Sequence, residues 1–317
     1  MAAHVHNADL PADFRALGRK LSNWGRWGPD DRLGTLNFIT AERLVAAGRA
    51  IRTGKLFDLG IPVSSQGIQL GVVRTNPVHL MSITPLDLKG RPDGLSVADD
   101  YIFMPLQSVT QWDGLGHVGY DGLLYNNIPT DSITTMGGST VLSIDQIAAK
   151  GVAGRGVLLD LARLRGVDRL EVSDVIMPRD LEVAEARQNV RVGSGDILIF
   201  RTGWIRHFLV DGSAAAYWNG NPGLHHSCAE WLSEREVAAT ASDNWMVELA
   251  PANTQDFPLP FHSIVIRDMG MTLGEIFDLE KLAQDCAADG VWDFFFSAPP
   301  LKVTGGVGAA ITPLAIK

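Results

Sequence analysis

The sequence predicts an α/β protein, because segments with helical patterns are followed several times by short apolar strands. This succession occurs three times between residues 144 and 241. Helices are predicted at 144–150, 180–189 and 227–236, and the strands that follow them at 157–161, 196–200 and 237–241. No internal repeat or low-complexity linker divides the 317 residues. A single domain is therefore expected, although the order of elements does not decide the sheet topology.

The N-terminal part of the chain is predicted to form an irregular arm over residues 1–38. The stretch NWGRWGPDDRLGTLN at 23–37 is rich in turn residues but also contains two tryptophans. This combination indicates an ordered, packed arm rather than a tail. Thr40 is then placed to cap a helix that continues to about residue 54.

The remaining elements follow from β-branched and aromatic residues that alternate with Gly, Pro and Asn. Ser143 and Gly151 are expected to cap and to end the helix at 144–150. Further strands are predicted at 56–63, 68–74, 101–113, 263–266, 271–273 and 291–296, a loop at 86–99 and a helix at 279–285.

The composition excludes several classes of protein. A net charge of −9 opposes general nucleic-acid binding, which needs a cationic surface. No apolar segment reaches the length of a membrane span, and the opening MAAHVHNADLPADF lacks the pattern of a secretory signal. Cys228 and Cys286 form no disulfide or metal-binding pattern and are expected to be buried thiols. A cytoplasmic protein that binds neither nucleic acid nor membranes is expected.

The stretch TQWDGLGH at 110–117 carries the clearest chemical signal, because it sets Asp113 and His117 four positions apart. If residues 107–113 form a strand, alternation turns Gln111 and Asp113 to one face, and the two following glycines permit a turn that returns His117 to it. An ionised Asp binds divalent cations well, and a neutral His can accept a proton from water at such a site. The alternative is an Asp that caps the turn and an exposed His.

Two groups of residues could contact a substrate. Trp112, with Trp24 and Trp27, could line a pocket for an aromatic compound, although core packing also explains tryptophans. Polar side chains after the strand at 68–74 could bind a carboxylate, unless they only belong to an exposed loop held at an Asn-Pro step. These polar residues are Arg74, Asn76 and His79.

Residues 107–117, QSVTQWDGLGH, resemble the signature of the metal-dependent cyclase family of kynurenine formamidase-like hydrolases, His-x-Gly-Thr-His-x-Asp-x-Pro-x-His. A threonine, Asp113 and His117 match, whereas glutamine replaces both upstream histidines. His262 and Glu275 match the late His and the Glu or Gln that complete the family's site. The arm with two tryptophans resembles the longer-chain branch of this family, here with a Gln-x-Asp variant of its His-x-Asp motif.

The resemblance extends over roughly residues 20–302 and implies one domain over 1–317, with a mixed sheet of the swivelling β/β/α type. Amide and carboxylate oxygens in place of imidazoles favour Mn²⁺ over Zn²⁺. The implied ligands of one divalent cation are Gln111, Asp113, His262 and Glu275. Gln107 joins this set only if the backbone bends, because four extended residues separate it from Gln111 by roughly 13 Å.

In the family, the matching histidine acts as general base, which implies that role for His117. The implied reaction is attack of metal-activated water on the carbonyl of a small cyclic amide, lactone or N-acyl compound. Relatives form dimers or larger assemblies, so a homodimer or homotetramer is expected. Two alternatives stay open. One is a metal-independent cyclase or dehydratase that uses Asp113 and His117, and the other is a homologue that binds a small molecule without catalysis.

Overall fold

A nine-stranded mixed sheet forms the centre of the computed structural model, which describes residues 13–252 and 259–317. The strands are β1 (Leu56–Asp58), β2 (Val78–Ile83), β3 (Asp99–Phe103), β4 (Gln111–Asp113), β5 (Ile133–Thr134), β6 (Gly138–Ser139), β7 (Ala153–Asp160), β8 (Val175–Ile176), β9 (Ile197–Arg201), β10 (Gly223–Leu224), β11 (Ala239–Ser242), β12 (Thr272–Glu275), β13 (Asp293–Ser297), β14 (Gly308–Ala310) and β15 (Leu314–Ile316).

Ten helices and several tighter or wider helical turns accompany the strands. The α-helices are α1 (Phe14–Leu21), α2 (Ala41–Ala47), α3 (Ile144–Lys150), α4 (Leu161–Leu164), α5 (Pro178–Gln188), α6 (Arg206–Leu209), α7 (Ala214–Tyr217), α8 (Cys228–Glu234), α9 (Pro260–His262) and α10 (Glu280–Asp289) in the described ranges. Short 3₁₀ turns lie at Gly34–Phe38, Gly48–Ala50, Tyr125–Asn127 and Thr130–Ser132, and a π-helix lies at Ser263–Asp268. The first twelve residues of the predicted arm lie outside the described residues.

The large sheet has a parallel centre and antiparallel flanks. Its strand order is β1, β15, β13, β7, β9, β11, β12, β4, β14. The central strands β7, β9, β11 and β12 pair in parallel. The flanking strands on both sides pair antiparallel with their neighbours. This confirms the predicted α/β class and the single mixed sheet.

The sheet is strongly curled, as the positions of its last two strands require. Only residues 311–313 separate β14 from β15 in the chain, yet β14 forms one edge of the sheet and β15 lies next to the other edge. A connection of this length spans at most about 14 Å. The two ends of the sheet must therefore approach each other. A hydrogen bond of 2.9 Å from the N–H of Ile61, after β1, to Oγ1 of Thr110, before β4, joins them.

Both faces of the sheet are covered by apolar side chains. One face packs against α3 and α10 and contributes Trp112, Ile199 and Phe296 to its core. The other face packs against α1, α5, α8 and the π-helix and contributes Phe200 and Leu273. Neighbouring side chains on a central strand, such as Ile199 and Phe200 on β9, therefore point into two separate cores.

The predicted helices agree with the structure to within a few residues. Helices predicted at 144–150, 180–189 and 227–236 are α3, α5 and α8. Oγ1 of Thr40 accepts the N–H of Arg43 at 3.3 Å, as expected for a helix cap, but this helix ends at Ala47 rather than near residue 54. Ser143 does not cap α3 with its side chain, which accepts the N–H of Gly305 instead.

Three strand predictions are wrong, each for a local reason. Residues 263–266 belong to the π-helix. The strand prediction fails here because a short apolar run that is buried on all sides has the same sequence pattern in a helix as in a strand. Residues 68–74 form a loop, since the amide of Asn76 bonds to the N–H and the carbonyl of Gln69. The strand predicted at 101–113 is interrupted after Phe103, and β4 begins only at Gln111.

None of the helices in the described ranges combines the length and the apolar character that crossing a bilayer requires. Cys228 and Cys286 are buried free thiols, as predicted.

Candidate metal centre

Strands β4 and β12 bring three polar side chains together on one face of the sheet. In their antiparallel register, Gln111 lies opposite Glu275 and Asp113 lies opposite Leu273. Side chains of directly opposed residues share a face, so Gln111, Asp113 and Glu275 point the same way. Nε2 of Gln111 donates to Oε2 of Glu275 at 2.8 Å. All three polar side chains are buried.

His262, at the end of α9, completes this cluster. Its Nε2 lies 3.3 Å from Oε1 of Glu275. One possible ligand atom each from Asp113, His262 and Glu275 lies within 4.8 Å of the other two. No other group of three or more His, Cys, Asp and Glu residues with this spacing occurs in the part of the chain that the structure describes. Two segments that are distant in sequence thus meet as the resemblance implies.

Glu248 fixes the orientation of His262. One carboxylate oxygen of Glu248 accepts two hydrogen bonds from His262, one from Nδ1–H at 2.5 Å and one from the backbone N–H at 2.9 Å. The other carboxylate oxygen accepts a hydrogen bond from the N–H of Phe261 at 3.1 Å. A carboxylate on Nδ1–H leaves the Nε2 lone pair directed at the cluster, which is the usual arrangement of a metal-binding His. Sequence patterns do not single out Glu248, which is as compatible with a solvated surface position, whereas the structure buries it.

Several features of the cluster fit a bound divalent cation. Oε1 of Gln111 and Oδ1 of Asp113 are buried and have no hydrogen-bond partner. Unsatisfied buried acceptors cost free energy, and a cation between them would remove that cost. Two carboxylates, one imidazole and one amide oxygen form a mostly hard donor set, which suits Mn²⁺ or a similar ion. The residues Gln111, Asp113, His262 and Glu275 therefore fit the metal that the resemblance implies.

The pKa values of His262 and Glu275 also indicate that positive charge is favoured in the cluster. Burial lowers the pKa of His262, but its hydrogen bonds with Glu248 and Glu275 outweigh burial and raise the pKa to about 10. Burial, and then the neighbouring Asp113 carboxylate, raise the pKa of Glu275 to about 7. Without a cation the cluster thus retains protons that a divalent ion would replace.

His117 lies at the edge of the cluster. The turn after β4 is closed by a hydrogen bond from the N–H of His117 to the carbonyl of Gly114 at 3.0 Å. This turn places Nε2 of His117 3.7 Å from Oδ1 of Asp113, with 24% of the His117 side chain exposed. Burial lowers the pKa of His117, and the nearby charges of Arg74 and His262 lower it further, against the effect of Asp113. The imidazole is therefore a neutral group between the buried ligands and solvent.

The three polar residues predicted to bind substrate occupy different places. Arg74 is half-buried, donates to the carbonyl of Gln107 at 3.0 Å and lies near enough to lower the pKa of His117. Asn76 does not face the cluster with a free amide, because both ends of its amide bond to Gln69. His79 bonds to Asp100 at 2.7 Å on the exposed β2–β3 hairpin. Only Arg74 of the three lies at the site.

Gln107 lies beside the cluster because the backbone before β4 bends. The strand predicted from residue 107 is replaced by a turn, in which the N–H of Ser108 bonds to the carbonyl of Pro105. A Cβ at Gly308, the residue opposite Asp113 on β14, would lie 2.6 Å from Nε2 of Gln107. Metal ligation by Gln107 stays a prediction.

Trp112 does not contact the cluster, contrary to the predicted substrate contact. It lies between Gln111 and Asp113 on β4, so its side chain points to the opposite face of the sheet. There it is fully buried against Phe277 and Phe296, and its Nε1 donates to the carbonyl of Ala298 at 2.7 Å. Trp24 and Trp27 also pack within the protein, against Arg267 and Phe38 respectively.

Replacing Trp112 with phenylalanine is expected to lower the free energy of unfolding by about 1–3 kcal/mol, because the carbonyl of Ala298 is left buried without a donor. The KM for substrate is expected to stay unchanged. Urea unfolding and steady-state kinetics of Trp112→Phe measure the two quantities. A raised KM at unchanged stability would instead support the substrate contact.

The fold and the cluster define a class: a single-domain α/β protein with a curled mixed sheet and a buried cluster of carboxylates and an imidazole that could hold a metal ion. The Cyclase family model matches residues 57–249, which is more than half of the chain, and the chain belongs to this family. The family predicted from the motifs is therefore confirmed. His262 and Glu275 lie beyond the matched residues.

Known proteins agree with this assignment. A crystal structure described as a novel cyclase is 40% identical, covers 93% of this chain and 99% of that chain, and has a TM-score of 0.85. Isatin hydrolase A from Ralstonia solanacearum shares the fold at 21% identity, with a TM-score of 0.59 over 87% of this chain and 97% of that chain. Isatin hydrolase from Roseibium aggregatum is 26% identical over 149 residues, which are 45% of this chain and 53% of that protein. The chain thus spans about half the length of this curated relative.

Proposed function

We propose that this protein is a metal-dependent hydrolase that adds water to the carbonyl of a small cyclic amide, lactone or N-acyl compound. The observation that carries this proposal is the convergence of Asp113, His262 and Glu275 beside a neutral, partly exposed His117. The similarity to isatin hydrolases supports the reaction class. Manganese is the proposed ion, because oxygen atoms of Gln111, Asp113 and Glu275 outnumber the single imidazole nitrogen.

A divalent cation held by these ligands would polarise the substrate carbonyl and acidify water. The protein side chains then have separate tasks. Glu248 holds the ring of His262, and Gln111 holds the carboxylate of Glu275 through its Nε2. These hydrogen bonds keep the ligand atoms in place before a substrate arrives.

His117 is the proposed proton carrier. Its exposed edge is open to solvent while its Nε2 faces Asp113, so it can meet a water molecule that approaches the cluster. In the first step the water loses a proton to His117 as its oxygen bonds to the substrate carbonyl carbon. In the second step the carbon–nitrogen or carbon–oxygen bond breaks, and the same proton passes from His117 to the leaving atom. The imidazole ends the cycle neutral.

Arg74 is the proposed contact for an anionic group of the substrate or product. Its guanidinium is half-buried and close to His117 and Glu275, since its charge affects the pKa of both. Hydrolysis of an amide or lactone releases a carboxylate, which a guanidinium binds with two parallel hydrogen bonds. The bond from Arg74 to the carbonyl of Gln107 leaves other N–H groups of the fork for this purpose.

Chelation tests the proposal. Protein treated with EDTA is expected to lose turnover of cyclic amides, lactones and N-acyl amines, isatin included, and to regain it with about one equivalent of Mn²⁺. Metal content before and after treatment is measured by elemental analysis. Turnover that persists in metal-free protein would favour the metal-independent cyclase or dehydratase. Metal binding without turnover of any substrate class would favour a binding protein.

A further inference from the structure

Two β-branched residues with left-handed backbone conformations adjoin the carboxylates that hold His262. Val247, with φ of 50°, directly precedes Glu248, and Ile276, with φ of 61°, directly follows Glu275. Side chains branched at Cβ are rare in this region, because Cβ and its substituents crowd the backbone. The other described non-glycine residues with positive φ are Asp, Asn and Glu. Strain is thus concentrated where the backbone sets the direction of the two carboxylates.

Asn244 bonds to both strained residues. Its carbonyl oxygen accepts the N–H of Ile276 at 2.9 Å, and its side-chain Oδ1 accepts the N–H of Val247 at 2.8 Å. The other end of the same amide donates to the carbonyl of Pro222 at 2.7 Å, which fixes the side chain. Asn244 is fully buried. This one residue therefore connects the loop after β11 with both segments that carry the carboxylates.

Burial holds the strained segments from the other side. Val247 is the centre of a γ-turn, in which the N–H of Glu248 donates to the carbonyl of Met246. The side chains of Val247 and Ile276 are fully buried in two different apolar clusters. A strained backbone persists only when its surroundings determine it completely. If the bonds to Asn244 were lost, either segment could relax and turn its carboxylate away from the imidazole.

We propose that Asn244 is a positioning residue of the metal centre, which holds Glu248 and Glu275 in the orientation that fixes the ring of His262. The effect of Asn244 on metal binding rests on the proposed function. The hydrogen bonds of Asn244 can be tested in protein stripped of metal, so the two ideas are tested separately.

Nuclear magnetic resonance of metal-free protein with ¹⁵N-labelled histidine tests the arrangement. The wild-type protein is expected to show a slowly exchanging Nδ1–H proton of His262, identified by its absence in His262→Gln. Asn244→Ala removes the side-chain bonds to Val247 and Pro222 but keeps the backbone bond to Ile276, and it is expected to lose this signal because Glu248 is released. Asn23→Ala is the matched control, because Asn23 is also a buried asparagine that bonds to a loop carbonyl, that of Met269. This control is expected to keep the signal.

Calorimetric titration with Mn²⁺ tests the consequence for the centre. Asn244→Ala is expected to bind Mn²⁺ about 10- to 100-fold more weakly than wild type, and Asn23→Ala within about twofold of it. Adding Val247→Gly to Asn244→Ala is expected to recover at least about threefold of the affinity, because glycine adopts positive φ without strain. The same double variant is expected to be less stable in urea, since a buried side chain is removed. A merely structural role for Asn244 does not predict tighter binding in a less stable variant.

The outcomes separate the two ideas. Unchanged Mn²⁺ affinity in Asn244→Ala would overturn the inference, whether or not the signal of His262 changes. Wild-type protein that binds no Mn²⁺ would reject the proposed metal centre. In that case, loss of the His262 signal in Asn244→Ala would still support the positioning of the imidazole by Asn244, and retention of the signal would overturn it.

Discussion

Replacing Glu275 with alanine is expected to remove both the bound metal and turnover. Glu275 contributes a carboxylate to the cluster. This carboxylate accepts a hydrogen bond from Nε2 of Gln111, and its Oε1 lies 3.3 Å from Nε2 of His262. Losing it removes a charged ligand and releases both neighbouring side chains. Charge stabilisation at a metal site is worth several kcal/mol, so the Mn²⁺ affinity is expected to fall by at least about 1,000-fold. Elemental analysis and calorimetric titration of Glu275→Ala measure this loss.

Glu275→Gln is the matched control for this variant. Glutamine has the same length as glutamate but offers the metal a neutral amide oxygen in place of a carboxylate. The Mn²⁺ affinity of Glu275→Gln is therefore expected to lie between those of wild type and Glu275→Ala. Urea unfolding of the metal-free proteins shows whether either variant is simply misfolded. A folded Glu275→Ala protein that retains one equivalent of metal would remove Glu275 from the ligand set.

Replacing His117 with glutamine is expected to lower kcat by about 100- to 10,000-fold, the usual contribution of a general base. Mn²⁺ affinity is expected to stay within about twofold of the wild-type value, because Nε2 of His117 lies 3.7 Å from Asp113 and outside the ligand cluster. The two effects are separated by steady-state kinetics and by metal titration of His117→Gln.

His79→Gln is the control for a change from histidine to glutamine. His79 lies on the exposed β2–β3 hairpin and bonds to Asp100, so kcat is expected to be unchanged. An unchanged kcat in His117→Gln would show that another group carries the proton. Loss of metal from that variant would instead place His117 among the ligands.

The sequence predicts the parts of the fold that depend on local patterns. The amphipathic helices α3, α5 and α8 and the strands that follow them are recognisable from periodicity and from their end residues. The π-helix at Ser263–Asp268 is not, since a segment that is buried on all sides has no polar face to give its period. The curl of the sheet also cannot be predicted locally, because it depends on which strands pair.

In the candidate site, too, the sequence predicts some residues and not others. Asp113 is found in the stretch TQWDGLGH, and His262 and Glu275 are implied by the resemblance to the family; the structure brings the three together. For Glu248 the sequence leaves a functional carboxylate and a solvated one equally open, because its role depends on a hydrogen bond to His262 that only the folded chain forms. For Trp112, neighbouring positions in a motif suggested a shared role, whereas alternation along a strand sends adjacent side chains to opposite faces.

The curl of the sheet has a consequence for how the protein is made. Within residues 13–252 and 259–317, strand β4 pairs only with β12 and β14, and its residue Gln111 is 164 positions from its partner Glu275. A ribosome therefore releases β4 long before either neighbour has been translated. Contacts of such high contact order form late and slowly. The candidate metal site is thus one of the last regions of this protein to be completed during biosynthesis.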